Sequence, residues 1–208
     1  MFRDRIEAGK LLGNALAFLK GKKDVIVLAI PRGGVPVGKE VAEMIGAPLD
    51  IVITRKVGAP GNPELAVGAV TQDGEMILDE KLVRMLGVSK DYLKREAARQ
   101  VEEIRLRKEK YRGKRPFPKL EGKTVVIVDD GIATGSTIKA AIQTVKKTNP
   151  AVIIVASPVG PPDTVAELSE SVDRVVCLST PEYFEAIGQF YEEFPQVDDV
   201  TVKSILGT

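Results

Sequence analysis

A chain of 208 residues has the length of one domain, and it can bury a core without disulfide or metal staples. It contains no histidine and one cysteine, Cys177, which excludes Ser-His-Asp triads, Cys-His pairs, His-ligated zinc or iron, CxxC sites and any internal disulfide. Lys plus Arg number 30 against 29 Asp plus Glu, a formal charge of +1 that argues against a general polyanion binder. The chemistry must therefore rest on carboxylates, cations, hydroxyls, backbone amides or an oxygen-bound metal such as Mg2+. No apolar run reaches the roughly 20 residues of a membrane helix. The charged N-terminus is unlike a signal segment, so a cytoplasmic protein is expected.

Residues 4–20 place Ile6, Leu11, Leu12, Leu16 and Leu19 near helical spacing, with Gly21 as the stop. Residues 25–30 are a continuous apolar run, the pattern of a parallel strand buried on both faces, and they end at Pro31-Arg32-Gly33-Gly34. A helix over 35–45, closed by Gly46, is followed by a second β-branched run at 49–53 that leads into Thr54-Arg55-Lys56. Residues 57–65 hold two Gly and two Pro and predict a loop, with Glu64 its one acid. Residues 66–71 and 76–78, joined through Gln72-Asp73-Gly74-Glu75, predict a hairpin. Helices are predicted over 81–86 and 90–111, the second long and heavily charged. Residues 124–128 form a third buried run, 138–147 a helix, and 152–156 and 174–178 two more strands. Residues 162–169 fit a helix between those two strands, with Asp163 as its expected cap. This alternation gives an α/β fold with a parallel central sheet flanked by helices. Residues 181–208 carry six carboxylates against one basic residue and read as an appendage.

Ligands of such sheets sit beyond the carboxyl ends of the strands, and three strand ends here have unusual chemistry. After residues 124–128 comes Asp129-Asp130-Gly131-Ile132-Ala133-Thr134-Gly135-Ser136-Thr137. A carboxylate pair is followed by a loop of small and hydroxyl residues that enters a helix N-terminus. Such a loop can aim N–H groups and hydroxyls at a phosphate, while the carboxylates accept from a sugar diol. The second end is Pro31-Arg32-Gly33-Gly34, where glycines permit close backbone approach and an arginine can grip phosphate oxygens. The third is Arg55-Lys56, two cations suited to charge on a departing group. Residues 33–39 spell G-x-x-x-x-G-K, but Glu40 stands where a Walker loop needs Ser or Thr, and no G-x-G-x-x-G is present.

Residues 125–137 closely resemble the signature of type I phosphoribosyltransferases, enzymes that use phosphoribosyl pyrophosphate (PRPP). The resemblance spans about 25–178, with its motifs in the family's order. It implies a single domain over 1–208, with the core at about 22–180, a helical insertion at about 80–115 and a C-terminal hood at about 181–208. It implies that Ala133, Thr134, Gly135, Ser136 and Thr137 bind the 5-phosphate. Arg32, Gly33, Gly34, Arg55 and Lys56 would bind pyrophosphate. Asp129, Asp130, Arg32, Arg55 and Lys56 would be catalytic. Mg2+ would be held mainly by PRPP and water, with Asp129 and Asp130 reaching it through water. The segment Arg55-Lys56-x-Gly with Pro60-Gly61 is similar to adenine phosphoribosyltransferases, whose loop and hairpin close over the site.

The implied function is transfer of 5-phosphoribosyl from PRPP to a nucleobase-like acceptor with release of pyrophosphate, in nucleotide salvage, by a homodimer. Ala133 replaces the acid that many 6-oxopurine enzymes carry before Thr-Gly, which argues against hypoxanthine or guanine of that type, and the loop does not favour orotate. In the hood, Tyr183 or Phe184 either stacks on the acceptor or belongs to a local core. The basic residues of 105–115 either form a solvated face, meet the acidic appendage in an oligomer, or touch nucleic acid. The last belongs to the alternative reading, a PRPP-sensing regulatory protein. The near-zero net charge argues against a nucleic-acid partner.

Overall fold

The computed structural model describes residues 1–71 and 74–208, with Glu64 described through its backbone alone. The loop acid Glu64, as a side chain, and the hairpin residues Gln72 and Asp73 therefore lie outside the described residues. Asp4 caps helix α1 (Arg5–Ala15) by accepting from the Glu7 N–H at 2.8 Å. A short 3-10 turn then leads to strand β1 (Val25–Ala29). Helix α2 (Gly34–Ile45) ends at left-handed Gly46, as its sequence predicts. Strand β2 (Leu49–Ile51) follows.

The chain then leaves the first sheet. Strands β3 (Arg55–Ala59), β4 (Asn62–Val70) and β5 (Met76–Leu78) form an antiparallel sheet in that order. Helices α3 (Glu80–Met85) and α4 (Lys90–Arg112) follow. The return brings β6 (Thr124–Val128), α5 (Ser136–Lys146), β7 (Val152–Val159), α6 (Pro162–Ser169) and β8 (Arg174–Ser179). Helix α7 (Asp199–Leu206) is the last element.

The main sheet has the order β2-β1-β6-β7-β8 and every pairing in it is parallel. This is the expected α/β architecture. Alternate residues of β1, β6 and β7 fill two cores. Ile26, Leu28, Ile127 and Val155 pack with Ile138 and Ile142 of α5 on one face. Val27, Val126 and Ile154 pack with Leu12 of α1, Leu16 just after it and Val41 of α2 on the other. Burial on both faces explains why these strands are unbroken apolar runs. A third core joins the antiparallel sheet to α4 and α7 through Val57, Val67, Leu93, Ile104 and Val202. Among the described residues no helix is long and apolar enough to cross a membrane.

Three local expectations are corrected. The predicted loop at 57–65 is a bulged hairpin, because its glycines serve close packing rather than open chain. A Cβ at Gly58 would lie 2.6 Å from the Pro63 backbone, and Gly61 turns with φ at +76°. Pro63 is tolerated because β5 pairs only with residues 68–70 of β4. The second parallel strand stops at Ile51, so Arg55 and Lys56 open β3 instead of ending β2. Asp163 is not the cap of α6: Pro161 holds that position, Pro162 starts the helix, and Asp163 lies in its first turn.

Candidate functional site

The carboxyl ends of β1 and β6 are neighbours in the sheet, in register at Ala29 and Val128. Their two loops therefore meet. At the end of β6, Asp129 accepts from the Asp130 N–H through Oδ1 at 2.9 Å. The loop then crosses to β7, where the Ile132 N–H donates to the Val159 carbonyl at 2.8 Å. Left-handed Gly135, with φ at +72°, turns the chain into α5. Thr54 ties the segment after β2 to this turn, its hydroxyl donating to the Thr137 carbonyl at 3.1 Å. The Thr134 and Ser136 hydroxyls lie 3.1 Å apart. Asp129, residues 131–138 and Ile187 enclose a cavity of about 110 Å3. The first N–H groups of α5 lack partners within the helix, so the arrangement suits a phosphate-sized anion.

At the end of β1 the peptide between Pro31 and Arg32 is cis. The glycines that follow lie directly on the carboxylate pair. A Cβ at Gly33 would fall 2.0 Å from Asp130 Oδ2, and one at Gly34 would fall 2.9 Å from Asp129 Cα. Only glycine permits this approach. A second cavity, of about 450 Å3, shares Asp129, Thr137 and Ile187 with the first and is also lined by Arg5, Arg32, Gly33 and Asp130. The two cavities thus form one crevice at the β1–β6 ends. It collects Arg32, Gly33, Asp129, Asp130 and the loop residues 133–137 that the sequence singled out.

The carboxylates differ in their surroundings. Burial and the neighbouring charge of Asp130 push the Asp129 carboxyl well above the usual range. Burial raises Asp130 too, against the pull of Arg5, whose Nε donates to Asp130 Oδ2 at 2.8 Å. Among the described residues no cluster of three or more acidic or cysteine side chains could hold a metal by itself. Asp129, open to both cavities, fits an Mg2+ that brings most of its own oxygen ligands, and such a cation would relieve the like charges beside it.

Other predicted site residues lie elsewhere. Arg55 is held on α4, its Nε donating to Gln100 Oε1 at 2.9 Å, and neither cavity of the crevice includes it or Lys56. Strand alternation puts Lys56 on the face opposite Arg55. Tyr183 is 72% exposed and its hydroxyl contacts Glu185. Phe184 packs on Phe190 with ring centroids 5.0 Å apart, in a local core with Phe2 and Tyr191. The C-terminal segment reaches the crevice through Ile187, Phe194, Gln196 and Val197 instead.

Sequence reasoning missed Arg5 and Tyr191, whose hydroxyl donates to the Asp130 carbonyl at 2.6 Å. A signal for Arg5 existed: it shares the buried face of α1 with Ala8, Gly9 and Leu12. The basic segment meets the acidic appendage within one chain, since Lys110 and Tyr111 contact Asp199 and Arg115 donates to the Leu206 carbonyl at 3.3 Å.

The family model of the phosphoribosyl transferase domain matches residues 5–194. A Mycobacterium tuberculosis protein, named as a candidate phosphoribosyl transferase in two strains, is 44% identical over 206 residues. That match covers 99% of this chain and 46% of the relative, so the chain spans about half the length of the curated relatives it matches. The crystal structure of TT1426 from Thermus thermophilus is similar at 47% identity and a TM-score of 0.82, covering 99% of this chain and 97% of that one. The AQ2163 protein from Aquifex aeolicus shares the fold at 14% identity and a TM-score of 0.54, over 88% of this chain and 78% of its own.

Proposed function

The chain belongs to the phosphoribosyl transferase domain family, and from that premise we propose that it transfers the 5-phosphoribosyl group of PRPP to a nucleobase-like acceptor, releasing pyrophosphate. The observation that carries this reading is the single crevice shared by the carboxylate pair, the Arg32-Gly33 loop and residues 133–137. In this reading the 5-phosphate occupies the smaller cavity against Ala133, Thr134, Gly135, Ser136 and Thr137. The ribose lies over the end of β6, and pyrophosphate takes the Arg32-Gly33-Gly34 loop.

The bond between the anomeric carbon and pyrophosphate breaks, with its electron pair leaving on pyrophosphate. Arg32 meets that growing charge, and the Asp129 side stabilises the positive sugar. An acceptor nitrogen then bonds to the opposite face of the sugar. Mg2+ bound with PRPP would supply further neutralisation of the leaving group, held through Asp129 and water. The acceptor stands against Ile187, Phe194, Gln196 and Val197, where Gln196 offers both a donor and an acceptor to a base edge. Arg55 and Lys56 take part only when the β3–β4 hairpin closes over the crevice, which would also exclude water.

A cytoplasmic homodimer acting in nucleotide salvage completes the proposal. Within the basic segment behind the sensor alternative, Lys110, Arg112 and Arg115 make contacts inside the chain, which does not favour that reading. The test is base-dependent pyrophosphate release from PRPP and Mg2+ across a nucleobase panel. Asp129→Asn should weaken PRPP roughly ten- to hundredfold, the loss expected for hydrogen bonds to a charged group. Absence of both pyrophosphate release and PRPP binding in the native protein would refute the reading.

A further inference from the structure

We propose that Arg5 is a positioning residue that makes the two carboxylates unequal: it neutralises Asp130 and turns it into a fixed wall of the crevice, so that Asp129 alone meets the ligand. This rests on the reading of the crevice as a PRPP site.

Arg5 is 9% exposed and enters from α1, far from Asp130 in sequence. Two of its guanidinium nitrogens have fixed acceptors. Nε donates to Asp130 Oδ2 at 2.8 Å, one terminal nitrogen donates to the Pro195 carbonyl at 2.7 Å, and the group lies over the Phe194 ring at 3.7 Å. One side chain therefore ties the end of β6 to the hood. Asp130 is fixed on its other sides as well. Its carbonyl accepts from Tyr191, and its carboxylate rests so close to Gly33 that a Cβ there would meet it at 2.0 Å. Its side chain is 10% exposed, and Oδ2 is already bonded to Arg5. Asp129 has no basic partner among the described ion pairs, and it lines both cavities.

Electrostatics gives this division a purpose. Two adjacent carboxylates facing an anionic phosphoribosyl ligand would repel it. Pairing one of them with a buried arginine offsets part of that repulsion and leaves the other carboxylate for the sugar. Arg5 also lines the larger cavity, so its removal would present the ligand with an uncompensated carboxylate.

The experiment is calorimetric titration of PRPP with Mg2+ into the native protein, Arg5→Met and the double variant Arg5→Met/Asp130→Asn. Native binding comes first: its absence overturns the PRPP reading together with this inference. With native binding present, Arg5→Met should weaken PRPP roughly tenfold, within the coupling range of interacting charges. Adding Asp130→Asn should recover most of that loss, because it removes the charge that Arg5 had balanced. Further weakening in the double variant would mean that Asp130 itself grips the ribose, and would overturn the inference. An Arg5→Met protein that melts earlier but binds PRPP like the native one would overturn it as well, since a merely structural contact leaves affinity unmoved. Should Arg5→Met fail to fold, Asp129→Asn and Asp130→Asn decide: Asp129→Asn should weaken PRPP roughly tenfold more than Asp130→Asn does, and equal losses would overturn the inference.

Discussion

An alanine at position 33 would drive its Cβ to 2.0 Å from Oδ2 and 2.6 Å from Cγ of Asp130. The backbone there has φ at −60°, which suits any residue, so the cost is contact rather than conformation. Asp130 cannot step aside easily, because Arg5 holds its carboxylate at 2.8 Å and Tyr191 holds its carbonyl at 2.6 Å. Overpacking of this kind costs about 1–3 kcal/mol, and weakening a buried ion pair adds to it, so about 3 kcal/mol is expected for Gly33→Ala. For a domain of this size that is roughly 6–12 °C in Tm. Urea unfolding at neutral pH measures it, with Gly46→Ala as the comparison. Position 46 has φ at +73° and open space within 4 Å, so an alanine there meets backbone strain alone. That strain should cost about 1 kcal/mol. Binding of pyrophosphate with Mg2+ should be lost in Gly33→Ala and kept in Gly46→Ala. A Gly33→Ala protein that loses less than about 1 kcal/mol and keeps pyrophosphate binding would refute the packing argument.

Two further outcomes follow from buried groups. Arg112 is 5% exposed and donates to Asp50 at 2.8 Å, to the Ile51 carbonyl at 2.6 Å and to the Pro116 carbonyl at 3.2 Å, tying α4 to β2. Arg112→Met should cost about 2–4 kcal/mol by urea unfolding, and a change below about 1 kcal/mol would contradict that anchoring role. Burial, with the Asp199 contact second, pushes the Tyr111 phenol up to about 12. A phenol raised in the fold stabilises it fully below the unfolded value near 10, and that contribution disappears as pH climbs from about 10 to about 12. Stability of the native protein should fall across that window by up to about 2–3 kcal/mol more than that of Tyr111→Phe, and equal slopes would remove the assignment.

What the sequence discloses here is what is local. The strands at Val25–Ala29 and Thr124–Val128 are legible because burial on both faces leaves no polar residue to interrupt them. The loop at 129–137 is legible because its carboxylates, small residues and hydroxyls lie within nine consecutive residues. The hairpin of β3 and β4 is not, since Gly58, Pro60, Gly61 and Pro63 have the composition of a loop, and only packing between the strands shows that the glycines are contact sites. Arg55 illustrates a related limit: two cations after a β-branched run look like a strand end, and nothing nearby tells that a new strand starts at them. Arg5 and Ile187 reach the crevice from opposite ends of the chain; the face of α1 marks Arg5 as buried, but only tertiary structure shows what either residue meets. The aromatics at 183–184 are the conspicuous residues of the C-terminal segment, yet the crevice is met by the quieter Ile187 and Gln196.

The adjacency of β1 and β6 also sets a timetable for folding. Ala29 and Val128 are partners across about a hundred residues, and that intervening chain folds into α2, β2, the whole antiparallel sheet, α3 and α4. Pairing at such separation is slow to form, because the closure entropy must be met before the contact offsets it. The crevice therefore exists only once that whole intervening chain has closed into place, so a ligand that occupies this site reports completion of the domain.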